Sequence, residues 1–319
     1  MSFPRILDGM KARFNSDVRD LSHLPEAVWK RTGALNTWGT NAIEGNTLTL
    51  DEVEKLLIEQ VSVPGRPVPD VLETVQHEAA FRGLLARVGS PITLISVQEL
   101  HDEVFRGIPR YRPGQWRLSN VIIAGAAHRP PRREKVVPRM NEWEWSYETR
   151  FKTRENVFSL GAWMHHEFES VHPFEDGNGR TGRLLLNLHF LKAGWPPLHI
   201  LPDDRDEYLR ALTAGHEGDY ASLAGFLEMR MARSLLDLLD QVSGPEDELR
   251  ELKTFSNERW NPYGAHYLSL RARQGSLVAV RVTNRIGPEG KRKMRGRPAW
   301  LTSERALRYY VKHVGRRAS

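Results

Sequence analysis

The sequence predicts a mainly α-helical protein with a small β-hairpin flap and a small C-terminal α/β module. Three observations carry this. Apolar residues recur at helical spacing through most of the chain before residue 243. The one β-like run in that span, NVIIAG at 120–125, is short and closed by Gly125 and then Pro130-Pro131. Charge also divides the chain: of the formal +6, residues 251–319 hold 16 Lys/Arg against 4 Asp/Glu, and residues 1–250 hold 30 against 36. The expected organisation is an N-terminal helical region (1–95), a core (96–242) and a basic C-terminal domain (243–319), with SGPEDE at 243–248 as the linker.

The elements follow in order. LPEAVWKRTGALNTW and LDEVEKLLIEQV are helices, and Thr49 with Glu52 fits a capping box opening the second. VPGRPVPD (63–70) is a proline-rich joint, after which DVLETVQHEAAFRGLLARV resumes a helix. SPITLISVQELHDEVFRGI is another, ended by Gly107 and Pro109. Residues 110–140 break the pattern and carry the flap. PRMNEWEWSYETRF and NVFSLGAWMHHEFES are helical, and a glycine-rich loop then leads into a leucine-rich helix that GWPP (194–197) stops. DDRDEYLRALTAGHEGDYASLAGFLEMRMARSLLDLLDQV reads as two more helices.

Composition narrows the chemistry. The 40% hydrophobic content suits a globular core. The absence of cysteine excludes disulfides, thiolate zinc sites and cysteine nucleophiles, and suits a reducing cytoplasm, the expected location. No run approaches the roughly 20 apolar residues of a membrane span, and the first residues lack the apolar core of a signal peptide.

The loop Asp176-Gly177-Asn178-Gly179-Arg180-Thr181-Gly182-Arg183 concentrates the chemistry. Glycines ahead of a helix let backbone N–H groups converge on an anion, and the helix N-terminus adds positive charge. Arg180 and Arg183 are three apart and project to one side, as a polyphosphate requires. Asp176 is a hard oxygen ligand for Mg²⁺ on phosphate. His172 can accept a proton from a hydroxyl near neutral pH. Pro173 stiffens the loop and Phe174 plugs into the core. Together these parts describe nucleotidyl or phosphoryl transfer to a hydroxyl. No GxxxxGK[ST] loop is present.

HPFEDGNGRTGR (172–183) resembles the signature of Fic-domain proteins, HxFx[D/E]GNGRxxR, at every fixed position. The resemblance implies the Fic helical fold and a protein adenylyltransferase, which moves AMP from ATP to a Ser, Thr or Tyr hydroxyl of a target protein and releases pyrophosphate. It implies that His172 is the general base and that Asp176 holds Mg²⁺ or Mn²⁺. It further implies that Gly177, Asn178 and Gly179 cradle phosphates, with Thr181 and Gly182 in the same ATP-binding loop. Arg180 would then meet the α- and β-phosphates and Arg183 the γ-phosphate. An intact GNGR favours AMP transfer over phosphorylation.

Upstream, TNAIEGN (40–46) resembles the family's inhibitory motif [S/T]xxxE[G/N]. Its acid is Glu44, which by resemblance pairs with Arg183 and occupies the γ-phosphate position. Gly45 also reads as a helix stop. In some relatives that glutamate helps water remove AMP, so Glu44 serves either direction. The segment from Asp206 to Leu227 resembles the family's adenine and ribose pocket: Tyr208 matches its Tyr, or is a core aromatic, and His216 stands where Asn is common. Ile123, Ala124, Gly125 and Ala126 match the flap over ATP, along which the target protein would bind by strand addition. A homodimer is among the expected partners, as one means of relieving Glu44.

HHEFESVH offers His165 and Glu169 at i,i+4, but HExxH is absent and an apolar helix face explains the stretch better than zinc. In the tail, HYLSLRARQGSLVAVRV reads helix, turn at Gly275, strand; PAWLTSERALRYYVKH reads strand, cap at Thr302 or Ser303, helix. This resembles an excisionase- or MerR-like winged helix with a long basic insert, GPEGKRKMRGR. It implies that the helix around 265–274 enters a DNA groove and that the insert meets phosphates. A tail for partner contact, and a regulator whose core only senses nucleotide, stand as alternatives.

Overall fold

The computed structural model describes residues 4–18, 21–108, 112–123, 128–282 and 299–315. In chain order its helices are α1 (Pro4–Asp17), α2 (Glu26–Ile43), α3 (Leu50–Leu57), α4 (Val68–Arg87), α5 (Leu94–Phe105), α6 (Val136–Lys152), α7 (Val157–Val171), α8 (Asn178–Lys192), α9 (Arg205–Gly215), α10 (Tyr220–Val242), α11 (Ala265–Arg273) and α12 (Glu304–His313). The strands are β1 (Arg250–Glu251), β2 (Val280–Val282) and β3 (Ala299–Thr302). Two compact units result, one formed by Pro25–Leu227 and the other by the chain before and after it.

The larger unit is built around α8. Every residue from Arg180 to Leu191 is buried, as expected of a helix that is packed all round. Helices α7, α4, α5 and α2 pack against it. Polar side chains on such a helix need partners inside the protein. Asn187 supplies two contacts, accepting from the Leu198 N–H at 2.9 Å and donating to the Arg183 carbonyl at 3.2 Å. His189 donates from Nε2 to the Val157 carbonyl at 2.8 Å, which leaves Nδ1 to accept from the Tyr147 hydroxyl at 3.0 Å.

Local sequence sets the helix ends. Thr49 and Glu52 form the reciprocal capping box of α3. The Asn156 side chain accepts from the N–H groups of Phe158 and Ser159 to start α7. Glu44 caps α2, which runs beyond the stretch read from periodicity, and Gly45 turns the chain away at φ +91°.

The described part of the flap is extended rather than helical. Residues 112–123 and 128–132 contain no strand. Side chains fasten this segment instead. Arg117 donates to the carbonyls of His172, Ser119 and Pro131, and Arg133 donates to that of Leu118. Pro130 and Pro131 have no N–H to give a ladder. Ala124, Gly125 and Ala126 lie outside the described residues.

The second unit has its own core of Leu252, Phe255, Leu268, Ala272, Leu277, Ala279, Leu307 and Tyr310. Its sheet is antiparallel in the order β1-β3-β2, with Leu301 opposite both Val280 and Glu251. Gly275 makes the turn after α11 at φ +73°, and Ser303 caps α12 by accepting from the Ala306 N–H. β1 and α1 were not legible in the apolar pattern. Asp247 is buried and bound by Arg305 at 2.9 Å and Arg13 at 3.4 Å, which ties α1 to the linker stretch.

Candidate active site

The site forms where α7 ends and α8 begins. His172 ends α7 in the left-handed conformation, at φ 49° and ψ 61°. A histidine tolerates that region only at a cost, and its neighbours hold it there. The Arg117 guanidinium donates to its carbonyl at 2.9 Å, and the Arg117 N–H donates to the Pro173 carbonyl. Phe174 is buried and stacks on His101 with ring centroids 3.7 Å apart. His101 accepts from the Gly114 N–H at Nδ1, so its Nε2 donates to the Asp176 carbonyl at 3.0 Å.

Asn178 closes the loop on itself. Its side chain accepts from the Phe174 N–H and donates to the Phe174 carbonyl. That amide is therefore committed to loop shape, and the anion-facing groups of this stretch are backbone N–H groups. Gly177 sits at φ +82°, and a Cβ there would lie 2.3 Å from the Phe105 ring, so only glycine fits. Thr181 is fully buried within α8.

The two arginines have different surroundings. Arg180 pairs with Glu73 of α4, both side chains almost fully buried. Its guanidinium lies 4.5 Å from the centre of the Phe105 ring, and Asp176 is 3.7 Å away. Arg183 donates from Nε to the Thr40 hydroxyl at 2.6 Å, and from Nη2 to the Thr40 carbonyl at 3.2 Å and to Glu44 Oε1 at 2.7 Å. The Arg183 side chain is 6% exposed, whereas that of Glu44 is 36% exposed. The carboxylate lies directly on the first turn of α8: a Cβ at Gly179 would be 2.1 Å from Glu44 Oε1. An anion thus already occupies the place where the helix N-terminus and Arg183 both favour negative charge.

Burial works against the charge of Glu44, but Arg183, then Arg180, hold its carboxyl below the ordinary carboxylate range. Burial lowers the His172 imidazole to about 4, with the Glu169 carbonyl opposing the effect, the Arg117 charge adding to it, and Glu44 and Asp176 opposing it. The ring is therefore neutral near pH 7 and can accept a proton. Its Nδ1 is buried on the side of the Glu169 carbonyl, which leaves Nε2 for exchange. Asp176 accepts from the Gly177 N–H at 2.6 Å and its side chain is 57% exposed. No cluster of three or more metal-ligating side chains occurs among the described residues. A cation at Asp176 would have to share its remaining ligands with phosphate and water, which is how Mg²⁺ is commonly held.

Tyr208 is buried with its hydroxyl 2.6 Å from His165 Nε2, and its ring centre is 5.9 Å from the Arg183 guanidinium carbon. It is at once a core aromatic and a neighbour of the site. His216 caps α9, stacks on His128 at 4.0 Å and lies 3.1 Å from His166 Nε2. Ile123 is half-buried outside any strand. The residues not anticipated are Thr40, Glu73 and Arg117, and Glu169 enters the sequence reading only as a zinc ligand set aside. Thr40 had a signal, since it is the first position of TxxxEG and shares a helix face with Glu44. Glu73, on a helix expected only to pack, had none.

Residues 91–190 match the model of the Fic/DOC family. The chain is 28% identical over 223 residues to "Protein adenylyltransferase Fic" of Aedes aegypti, covering 69% of this chain and 44% of that protein. It is 29% identical over 202 residues to the protein of the same name from Nematostella vectensis, covering 61% and 46%. The chain thus spans less than half the length of these curated relatives. Among solved structures, Fic-1 of C. elegans superposes with a TM-score of 0.64 at 26% identity, covering 75% of this chain and 71% of that one. A Fic-domain signaling protein from Bacteroides thetaiotaomicron also gives 0.64, at 22% identity, over 72% and 96%.

The buried histidines make stability pH-dependent. Burial first of all lowers His77 and His165 to about 3, and His101, His172, His189 and His199 to about 4. Unfolded, these rings take up protons below pH ~6.5. Between ~6.5 and ~4 the unfolded chain binds more protons, so stability falls as pH drops, by up to about 1.4 kcal/mol per pH unit for each ring. Glu169, raised to about 8 chiefly by burial, works in the opposite sense as pH rises above ~4.3. Urea unfolding followed by circular dichroism at pH 7.5, 6 and 5 is expected to show a midpoint that falls steeply below pH 6.5. A flat midpoint would mean that these rings titrate normally.

Proposed function

We propose that this chain, which carries a Fic domain at residues 91–190, is an adenylyltransferase that moves AMP from ATP to a hydroxyl of a target protein, and that Glu44 holds it inhibited. One observation supports this reading above the others: a partly exposed carboxylate from α2 covers the buried Arg183 and the glycine-bared first turn of α8. An anion that lies at the mouth of an arginine site can exchange with another anion. The names of the curated relatives favour AMP as the group transferred.

In this mechanism the terminal phosphate of ATP replaces Glu44 on Arg183. The N–H groups at the start of α8 and Arg180 take up the inner phosphates. The target hydroxyl attacks the α-phosphorus, its proton passes to His172 Nε2, and the bond to pyrophosphate breaks as the AMP ester forms. Asp176 would hold a divalent cation, which neutralises phosphate charge when bound. Arg117, by fixing the His172 and Pro173 carbonyls, keeps the base in its left-handed position.

A second reading concerns residues 250–319. α11, the β2/β3 pair and α12 occur in the order of a winged helix. The exposed side of α11 carries His266, Leu270 and Arg273, with Arg271 half-exposed. With the excess of 12 positive charges over residues 251–319, this supports nucleic-acid binding. The basic tract 291–297 lies outside the described residues.

Two outcomes are expected. Purified Glu44→Gly protein with α-labelled ATP and Mg²⁺ should label proteins in a lysate, wild type should label little, and His172→Ala on the Glu44→Gly background should lose about 10²–10⁴-fold in rate. ATP binding without labelling by any variant would favour AMP removal or nucleotide sensing. In a gel-shift titration, the full chain should bind duplex DNA more weakly as salt rises from ~50 to ~200 mM, and Arg273→Ala should reduce the log–log salt slope by about 1. No shift at ~50 mM salt would leave the tail as a protein-contact module.

A further inference from the structure

Two carboxyl groups reach the first turns of α8, and the mechanism uses only one. Glu44 Oε1 lies 2.1 Å from where a Cβ at Gly179 would be, and Glu169 Oε1 lies 2.3 Å from where a Cβ at Gly182 would be. Glycine at two positions three residues apart is what admits both acids to the same stretch of helix. The residue after Gly182 is Arg183, whose donors already engage Thr40 and Glu44. Oε1 of Glu169 is buried and has no hydrogen-bond partner. An ionised carboxylate with such an oxygen is costly, whereas a neutral acid is much less so.

The groups that face Glu169 come from four helices. α8 contributes the Arg183 cation and α2 the Glu44 anion, and the two oppose each other at Glu169. α7 contributes His165, whose Cε1 shares the Gly182 contact, and His172, both held neutral mainly by burial. α9 contributes the Tyr208 phenol, which burial keeps protonated. The local charges are therefore one cation and one anion, with Glu169 as the acid that can add a second.

We propose that Glu169 is the reserve counter-ion of Arg183, a positioning residue that keeps its proton while Glu44 occupies the guanidinium and releases it when Glu44 withdraws. Only the O–H bond of Glu169 breaks, and the proton goes to water at the open side where Glu44 sits. The exchange keeps one cation facing one anion in both states, so Arg183 never stands as an unpaired buried charge. Arg183 then stays in place between one occupant and the next. When a phosphate arrives, Glu169 takes a proton back. The inference rests on Glu44 being a displaceable partner of Arg183, but it does not require AMP transfer.

The test is a carboxyl titration by NMR on the full chain with ¹³C at the glutamate side-chain carboxyls. The Glu169 signal is identified by its loss in both Glu169→Gln and Glu169→Asp, so assignment does not hang on one variant. In wild type the signal should titrate near pH 8. In Glu44→Gln, which removes the competing anion at nearly constant volume, the midpoint should fall, because an anion that raises it is gone and Arg183 is left without its partner. An unchanged midpoint in Glu44→Gln would make Glu169 a neutral filler and overturn the proposal. So would a wild-type midpoint near an ordinary ~4.3. The titration uses neither nucleotide nor turnover, so failure of the transferase reading would leave its result standing.

Discussion

A guanidinium buried at the start of a packed helix has to face an anion, and much of this candidate site follows from how Arg183 meets that need. Its own helix offers no acid. The anion comes from α2, and Thr40 and Glu44, one helical turn apart, converge on the same side chain. The three residues that leave room for carboxyl groups or the Phe105 ring of α5 along this stretch are Gly177, Gly179 and Gly182. Arg180, one turn earlier, solves the same problem differently. Its acid, Glu73, is 3% exposed, so the pair is internal. A buried pair of this kind is expensive to break, whereas a pair with one partner at the surface can exchange. On the proposed mechanism Arg183 is therefore the exchangeable contact, and Arg180 is a cation that faces the inner phosphates while Glu73 holds it in place.

The loop before α8 is rigid for reasons that are independent of charge. Asn178 grips the backbone of Phe174, Phe174 stacks on His101, and His101 holds the Asp176 carbonyl. Arg117 reaches in from the irregular segment to hold His172. Each of these contacts fixes backbone, so the N–H groups at the helix start and the imidazole are set in place before any ligand arrives.

Much of this was legible in the sequence. The string from His172 to Arg183 announced an anion nest, a base and two arginines because those residue types are local to one another. The helices followed from apolar spacing, and the capping box at Thr49 from four residues. HYLSLRARQGSLVAVRV read helix then strand and PAWLTSERALRYYVKH strand then helix, in the order in which α11, β2, β3 and α12 occur. What was not legible depends on pairs far apart in the chain. Glu73 lies 107 residues from Arg180, and nothing on its own helix marks it. Glu169 looked like one polar residue among several in HHEFESVH, and its significance comes from a glycine 13 positions later that lets it lie on α8. In the flap, the β-branched residues of NVIIAG favour extended backbone, and the prolines and the side-chain ties of Arg117 and Arg133 hold the described part without a ladder.

The central claim is that Glu44 and a nucleotide phosphate compete for Arg183. Isothermal titration of ATP with Mg²⁺ into wild type, Glu44→Gly and Glu44→Gly with Arg183→Ala tests it most directly. The account predicts that Glu44→Gly binds ATP at least about tenfold more tightly than wild type, a difference of about 1.4 kcal/mol, and that adding Arg183→Ala removes the gain. Equal affinities for wild type and Glu44→Gly would contradict it, because the carboxylate would then not stand in the nucleotide's place.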